Sequence, residues 1–245
     1  MTKKKWRLVV VACVLLLSVV LFYRFYFSKP DSFPENNQLV QAINSLNPEA
    51  EADIIQDTIM LDEQHAFVPF ITEKGNRGMS LWLWEKHRWV VSYINTAGEP
   101  YLWKIDELDR SSYHFVWNMS FDESIQHMKF FLIRDRSFQV SGDIEDYSPG
   151  VQMEKRVDIS KKSYGVVQVP TDWVSVMDSY SAFVSPEKSA LFDSIFPDHL
   201  MLFAWNAYDS TDNVSYVGLQ SGGSSFSNGH EHIEFVRFLD EMEME

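Results

Sequence analysis

The sequence predicts a mainly β, α+β protein. A single-pass N-terminal transmembrane helix precedes an antiparallel β-rich ectodomain, a sandwich or partly closed barrel with a late pair of short helices. Three observations carry that expectation. The chain opens on an uncharged apolar run from Leu8 to Tyr23. Period-two alternation of apolar and polar residues takes over from about Asp53. Helical spacing reappears in strength only after Pro170.

The apolar run is interrupted by Arg24 and resumes through Phe25, Tyr26 and Phe27. As a helix, Leu8 to Phe27 spans about 30 Å, the thickness of a hydrocarbon core. Arg24 would lie near one end, where its head snorkels to the interface, and Trp6, Tyr23 and Tyr26 fit aromatic belts. A cleaved signal peptide needs small residues at its cleavage site, and Phe22 to Phe27 are bulky. A lipid attachment site at Cys13 is disfavoured because most of the apolar run follows it. A buried core helix fits poorly with the basic leader and aromatic ends. An uncleaved signal-anchor fits best.

Lys3, Lys4, Lys5 and Arg7 precede the span, and the first acid is Asp31. The positive-inside rule therefore expects a cell-membrane protein with residues 1–7 in the cytoplasm and the C-terminal domain outside. Membrane lipid is the expected partner of residues 8–27. Residues 28–37 read as a linker because of Pro30 and Pro34, and residues 38–245 as the extracytoplasmic β-rich domain. A subdivision near residue 170 is the alternative, but no Pro/Gly/Ser-rich linker marks it.

Composition narrows the function classes. Beyond residue 30 there are 15 basic residues against 35 acidic ones, a balance of −20. That field disfavours nucleic acid and anionic lipid as partners of the ectodomain. The only cysteine is Cys13, so zinc–cysteine sites, cysteine nucleophiles and intrachain disulfides are excluded. No cofactor signature is present.

Along the chain, Gln38 to Leu46 has the spacing of a short amphipathic helix through Leu39, Ile43 and Leu46. Ile54 to Leu61 and Ala66 to Thr72 read as a hairpin around Asp62 to His65. Met79 to Trp84 and Trp89 to Asn95 read as another, joined by Glu85 to Arg88, with Tyr101 to Ile105 following. Trp89, Val91 and Tyr93 would share one face. Tyr113 to Met119 alternates in the same way. Met128 to Arg134 is expected to pair with Phe138 to Ile144, and Val151 to Ile159 with Tyr164 to Val169. After Pro170 a helix would present Trp173, Val176, Met177 and Tyr180. Ser185-Pro186-Glu187 would start a second. Leu200 to Tyr208, Val214 to Leu219 and His232 to Leu239 read as the last strands.

No motif rises to a catalytic signature. His230 and His232 share a face of a strand and make the best metal-like spacing, though no third ligand is recognisable. Asp62 with His65, and Asp198 with His199, set acid near imidazole, but turn positions usually face water. Ser221 to Ser225 fits neither the G-x-S-x-G elbow nor a P-loop. Asn118 and Asn213 begin N-x-S sequons. Trp82, Trp84, Trp89, Tyr93 and Trp103 carry the binding hypothesis. On an exposed sheet face they would stack on a sugar or dock a protein; otherwise they fill a core. The expectation is a membrane-anchored binding module for a protein or envelope-glycan partner. A hydrolase with dispersed carboxylates and a cation-dependent sensor are the alternatives.

Overall fold

The computed structural model describes residues 3–27, 30–121, 124–134, 136–141, 144–148, 150–184, 201–215, 223–229 and 231–239. It is mainly antiparallel β sheet with few helices. The first helix, α1 (Lys3–Phe27), includes the whole apolar run. Among the described residues, no helix is long and apolar enough to cross a membrane.

The amphipathic segment forms α2 (Asn36–Leu46), which buries Leu39 and Ile43 and leaves Leu46 exposed. Its apolar stripe packs on the first of three sheets. That sheet contains β1 (Ala52–Ile55), β2 (Ile59–Met60), β3 (His65–Thr72), β4 (Arg77–Glu85), β5 (Arg88–Asn95) and β14 (Ser225–Ser227). The run from Ile54 to Leu61 is not one strand. Gln56-Asp57-Thr58 breaks it, so that β1 pairs with one end of β3 and β2 with the other.

The second sheet orders β12 (Tyr164–Gln168), β7 (Tyr113–Asn118), β6 (Tyr101–Lys104) and β15 (His232–Phe235). The third orders β11 (Val151–Asp158), β8 (Ile125–Arg134), β13 (Leu202–Asp209) and β16 (Arg237–Phe238), with only β13–β16 parallel. A separate hairpin pairs β9 (Ser137–Ser141) with β10 (Ile144–Ser148). These pairings correct two expectations. Residues 128–134 pair with β11 and β13 rather than with 138–144, and Tyr164–Gln168 pairs with β7 rather than with 151–159. Burial supplies the reason: Met128, Phe130, Leu132, Met153, Phe203 and Trp205 come together in one core only in the longer-range arrangement.

Alternation along the strands builds the layers. Phe67, Met79 and Leu81 of the first sheet meet Trp103 and Val116 of the second. Leu102, Phe115 and Trp117 on the other face of the second sheet meet Met128, Phe130, Phe203 and Trp205 of the third. The helix α3 (Thr171–Val184) closes this second interface. Trp173 packs edge-on against Phe115 at 6.1 Å and stacks with Phe203 at 6.4 Å. Because β8 pairs with β13, the chain before and after α3 shares one sheet. The helix expected from Ser185, Tyr216 to Leu219 of the strand expected from Val214, and the acidic end Glu241 to Glu245 lie outside the described residues.

Two local features matter for the site. Leu81 pairs with Tyr93 but Trp82 with Val91, so Ser92 is an extra residue, a bulge in β5. It turns Tyr93 away from Trp89 and Val91, and the three do not share a face as alternation expected. At the other end of the hairpin, Lys86 and His87 both have positive φ, 50° and 61°, the pattern of a type I′ turn that favours Asn-Gly. A left-handed non-glycine residue costs about 1 kcal/mol. Lys86→Asn/His87→Gly is therefore expected to raise stability by about 1–2 kcal/mol. A chemical-denaturation midpoint at or below that of the wild type would refute this.

Candidate functional site

The linker does not hang clear of the domain. Residues 31–35 lie along the end of the β4–β5 hairpin, and a cleft of about 660 Å³ opens between them. Phe33 is the wedge. Its ring meets Trp89 edge-on at 4.8 Å and Trp82 at 5.7 Å. Trp84 and Trp89 are direct cross-strand partners with rings 5.7 Å apart at 62°. The Trp89 indole N–H donates to the Asp31 carbonyl at 3.2 Å, fixing the linker in place. Trp82 is buried, with its indole N–H on the Ser80 hydroxyl at 2.9 Å. Trp84 and Trp89 remain half-buried.

Polar groups surround these rings. Asp31, Glu35 and Arg88 line the cleft, and Gln38 reaches back from α2 to accept the Glu35 backbone N–H at 2.9 Å. Flat aromatic surface with hydrogen-bonding groups beside it suits a ligand that has both an apolar face and a hydroxyl or amide edge.

Of the residues the sequence singles out, the fold brings Trp82, Trp84 and Trp89 together and separates Tyr93 and Trp103 from them. Tyr93 lies on the opposite face of the sheet, 5.7 Å from the Tyr101 ring. Trp103 is wholly buried between the first and second sheets. The five do not form one exposed platform. His230 lies outside the described residues, and His232 is exposed with Nδ1 2.7 Å from Glu107. Among the described residues no group of three or more His, Cys, Asp or Glu side chains is arranged to hold a metal ion.

The remaining candidates resolve individually. Asp62 accepts from His65 Nδ1 at 2.8 Å and from the backbone N–H groups of Gln64 and His65, which makes it the lock of a tight turn. Asp198 and His199 lie outside the described residues, as do Ser221 and Gly222. The Ser224 backbone is tied to Thr96, its carbonyl accepting the Thr96 N–H and its N–H donating to the Thr96 hydroxyl, and its own hydroxyl accepts from the Asn47 side chain at 3.0 Å. A hollow of about 360 Å³ beside Ser224 includes Glu49 and Glu51, the latter bound to Lys74 at 2.6 Å. Asn118 is fully buried and donates to the carbonyls of Phe70 and Gly78 in the first sheet, so its sequon is closed in the folded chain. Asn213 is exposed.

Two functional-looking residues escaped the sequence reading. Phe33 had a signal, a large aromatic between Pro30 and Pro34 in an otherwise polar stretch. Glu231 had none and read only as a spacer between two histidines. Glu231 accepts from the Trp103 indole N–H and has Ser92 beside it, whose hydroxyl donates to the Leu81 carbonyl at 3.0 Å. Burial pushes its carboxyl up to about 7, against the opposing effect of those two neighbours. A carboxyl near neutrality has the environment of a general acid, yet Glu231 lines neither of the two clefts described above. No family model, no curated protein and no solved structure matches the chain.

Proposed function

We propose that this chain is a membrane-anchored extracytoplasmic binding module that seats an envelope glycan in the cleft between Phe33, Trp84 and Trp89. The anchor is the stretch from Leu8 to Phe27, with the N-terminus cytoplasmic. Its support is the length and apolarity of that run, the basic leader and the aromatic flanks. The observation that carries the binding reading is the aromatic cleft itself, held open by Phe33 and rimmed by Asp31, Glu35 and Arg88. Indole faces cover the apolar face of a pyranose ring, and the charged rim hydrogen-bonds its hydroxyls. The β5 bulge favours this division of labour, since it sends Tyr93 to the interior and leaves Trp84 and Trp89 at the hairpin end.

The test is a titration of the full chain in detergent with the hexamer of β-linked N-acetylglucosamine, followed by tryptophan fluorescence. Saturable binding is expected for the wild type. Trp84→Ala/Trp89→Ala should weaken it by about 10- to 100-fold, as loss of two aromatic contacts at roughly 1 kcal/mol each implies. No saturable signal, or equal affinity in the double variant, would overturn the glycan reading. The anchor is tested separately: alkaline carbonate should leave the chain in the membrane pellet, and protease on intact cells should remove its C-terminal domain.

A further inference from the structure

The β4–β5 tip combines three properties. It is tied to the segment that follows α1, it is rich in aromatic and basic side chains, and its turn is strained. Phe27 and Asp31 are four residues apart, so they are separated by at most about 14 Å even when fully extended. Asp31 is in turn bonded to Trp89, and Phe33 is packed against Trp89 at 4.8 Å. The hairpin end is therefore tethered within a short reach of the end of α1. A lipid headgroup layer adds about 5–8 Å on each side of the hydrocarbon.

We propose that this tip, Glu85–Arg88 with Trp84 and Trp89 beside it, rests in the headgroup layer of the bilayer that α1 enters. The inference depends on the anchor reading above and adds an orientation to it. Lys86, His87 and Arg88 are exposed, and Trp84 and Trp89 are half-buried. Tryptophan beside Lys and Arg is the composition that settles at a membrane interface, where rings sit among headgroups and cations reach phosphates. Lys86 lies 2.7 Å from Glu85, and the exposed Arg88 gives a second cation to a tip that offsets the acidic field of the ectodomain. A type I′ turn is easily built from Asn-Gly, yet this one keeps two long polar side chains at positive φ. Strain retained at an exposed tip points to a use for those side chains. Because α1 tethers the tip, docking involves no separate association step, and weak contacts suffice. The glycan cleft then opens along the membrane surface, and its ligand arrives from the side.

The full chain carrying Trp6→Phe, which removes the tryptophan at the far end of α1, is reconstituted in nanodiscs. The discs contain phosphatidylcholine and phosphatidylglycerol, with a nitroxide quencher on the headgroup. Quenching of two of the seven remaining indoles is expected. Trp84→Phe/Trp89→Phe should abolish it, and Lys86→Glu/Arg88→Glu, which leaves every buried residue intact, should at least halve it. Lys86→Asn/His87→Gly should raise the melting temperature while lowering the quenching. Emission that stays unquenched in a disc-bound chain overturns the docking, as does quenching that none of the three variants alters. A chain that elutes apart from the discs overturns the anchor reading and this proposal together.

Discussion

Gly98→Ala is expected to lower the melting temperature of the full chain in detergent by about 10 °C, a loss of about 3–5 kcal/mol. Gly98 has φ +71°, where a β-carbon is strained, and that carbon would stand 1.9 Å from the Asn118 carbonyl oxygen and 2.9 Å from that of Arg77. Both neighbours are backbone, so neither can rotate aside. The Gly98 carbonyl also accepts the Asn118 N–H at 2.9 Å, and the Asn95 side chain holds the turn through the N–H groups of Ala97 and Gly98. The left-handed conformation contributes about 1 kcal/mol, the forced backbone shift about 1–3 and the weakened hydrogen bond about 1. Asn118 ties the first sheet to the second, so the shift propagates into the contact between them. A Gly98→Ala chain that melts within two or three degrees of the wild type would show that the loop yields.

Glu231→Gln is expected to change how stability depends on pH. The Glu231 carboxyl has a folded pKa of about 7 against an ordinary 4.5, because burial disfavours its charge. Between those values the folded chain keeps a proton that the unfolded chain has released. Stability from this residue is therefore fully present below about pH 4.5, declines as pH rises, and is gone above about 7. At about 1.4 kcal/mol per pH unit the full span is roughly 3 kcal/mol, reduced to about 2 because Glu231 is only part-buried. Glutamine still accepts from the Trp103 indole and is neutral at every pH. The wild type should thus lose about 2 kcal/mol relative to Glu231→Gln between pH 4.5 and 7.5, with the variant the more stable at the upper end. The difference between the two curves cancels the repulsion among the other acids. Parallel curves would sink the assignment.

The fold class was legible because it depends on local periodicity. Leu39 and Ile43 at helical spacing, and alternation through Tyr113 to Met119, emerge as α2 and β7. Pairing was less legible. Alternation with short turns pairs the strands on either side of Asp135 with each other, whereas β8 takes β11 and β13 as partners and β9 takes β10. Short loops favour local hairpins, but burial of Phe130 and Trp205 in a common core decides the outcome, and that core is visible only in three dimensions. The candidate site was half legible. Trp84 and Trp89 stand out by residue type, while the Ser92 bulge that turns Tyr93 to the other face carries no compositional mark. Phe33 reads as linker because its packing partners, Trp82 and Trp89, lie far along the chain. Glu231 was invisible for the same reason: Ser92 and Trp103 come from two different strands.

The strands β14, β15 and β16 belong to the first, second and third sheets in turn. Residues 225–227 and 232–238 therefore act as a stitch drawn through the three sheets, and they follow every other described strand in the chain. Sheet interiors can pair while the chain is still emerging, but each waits with an open edge until this stretch arrives. Completion is a long-range event, the slow kind in which exposed edges invite wrong partners. A chain released early would lack one edge strand in every layer at once.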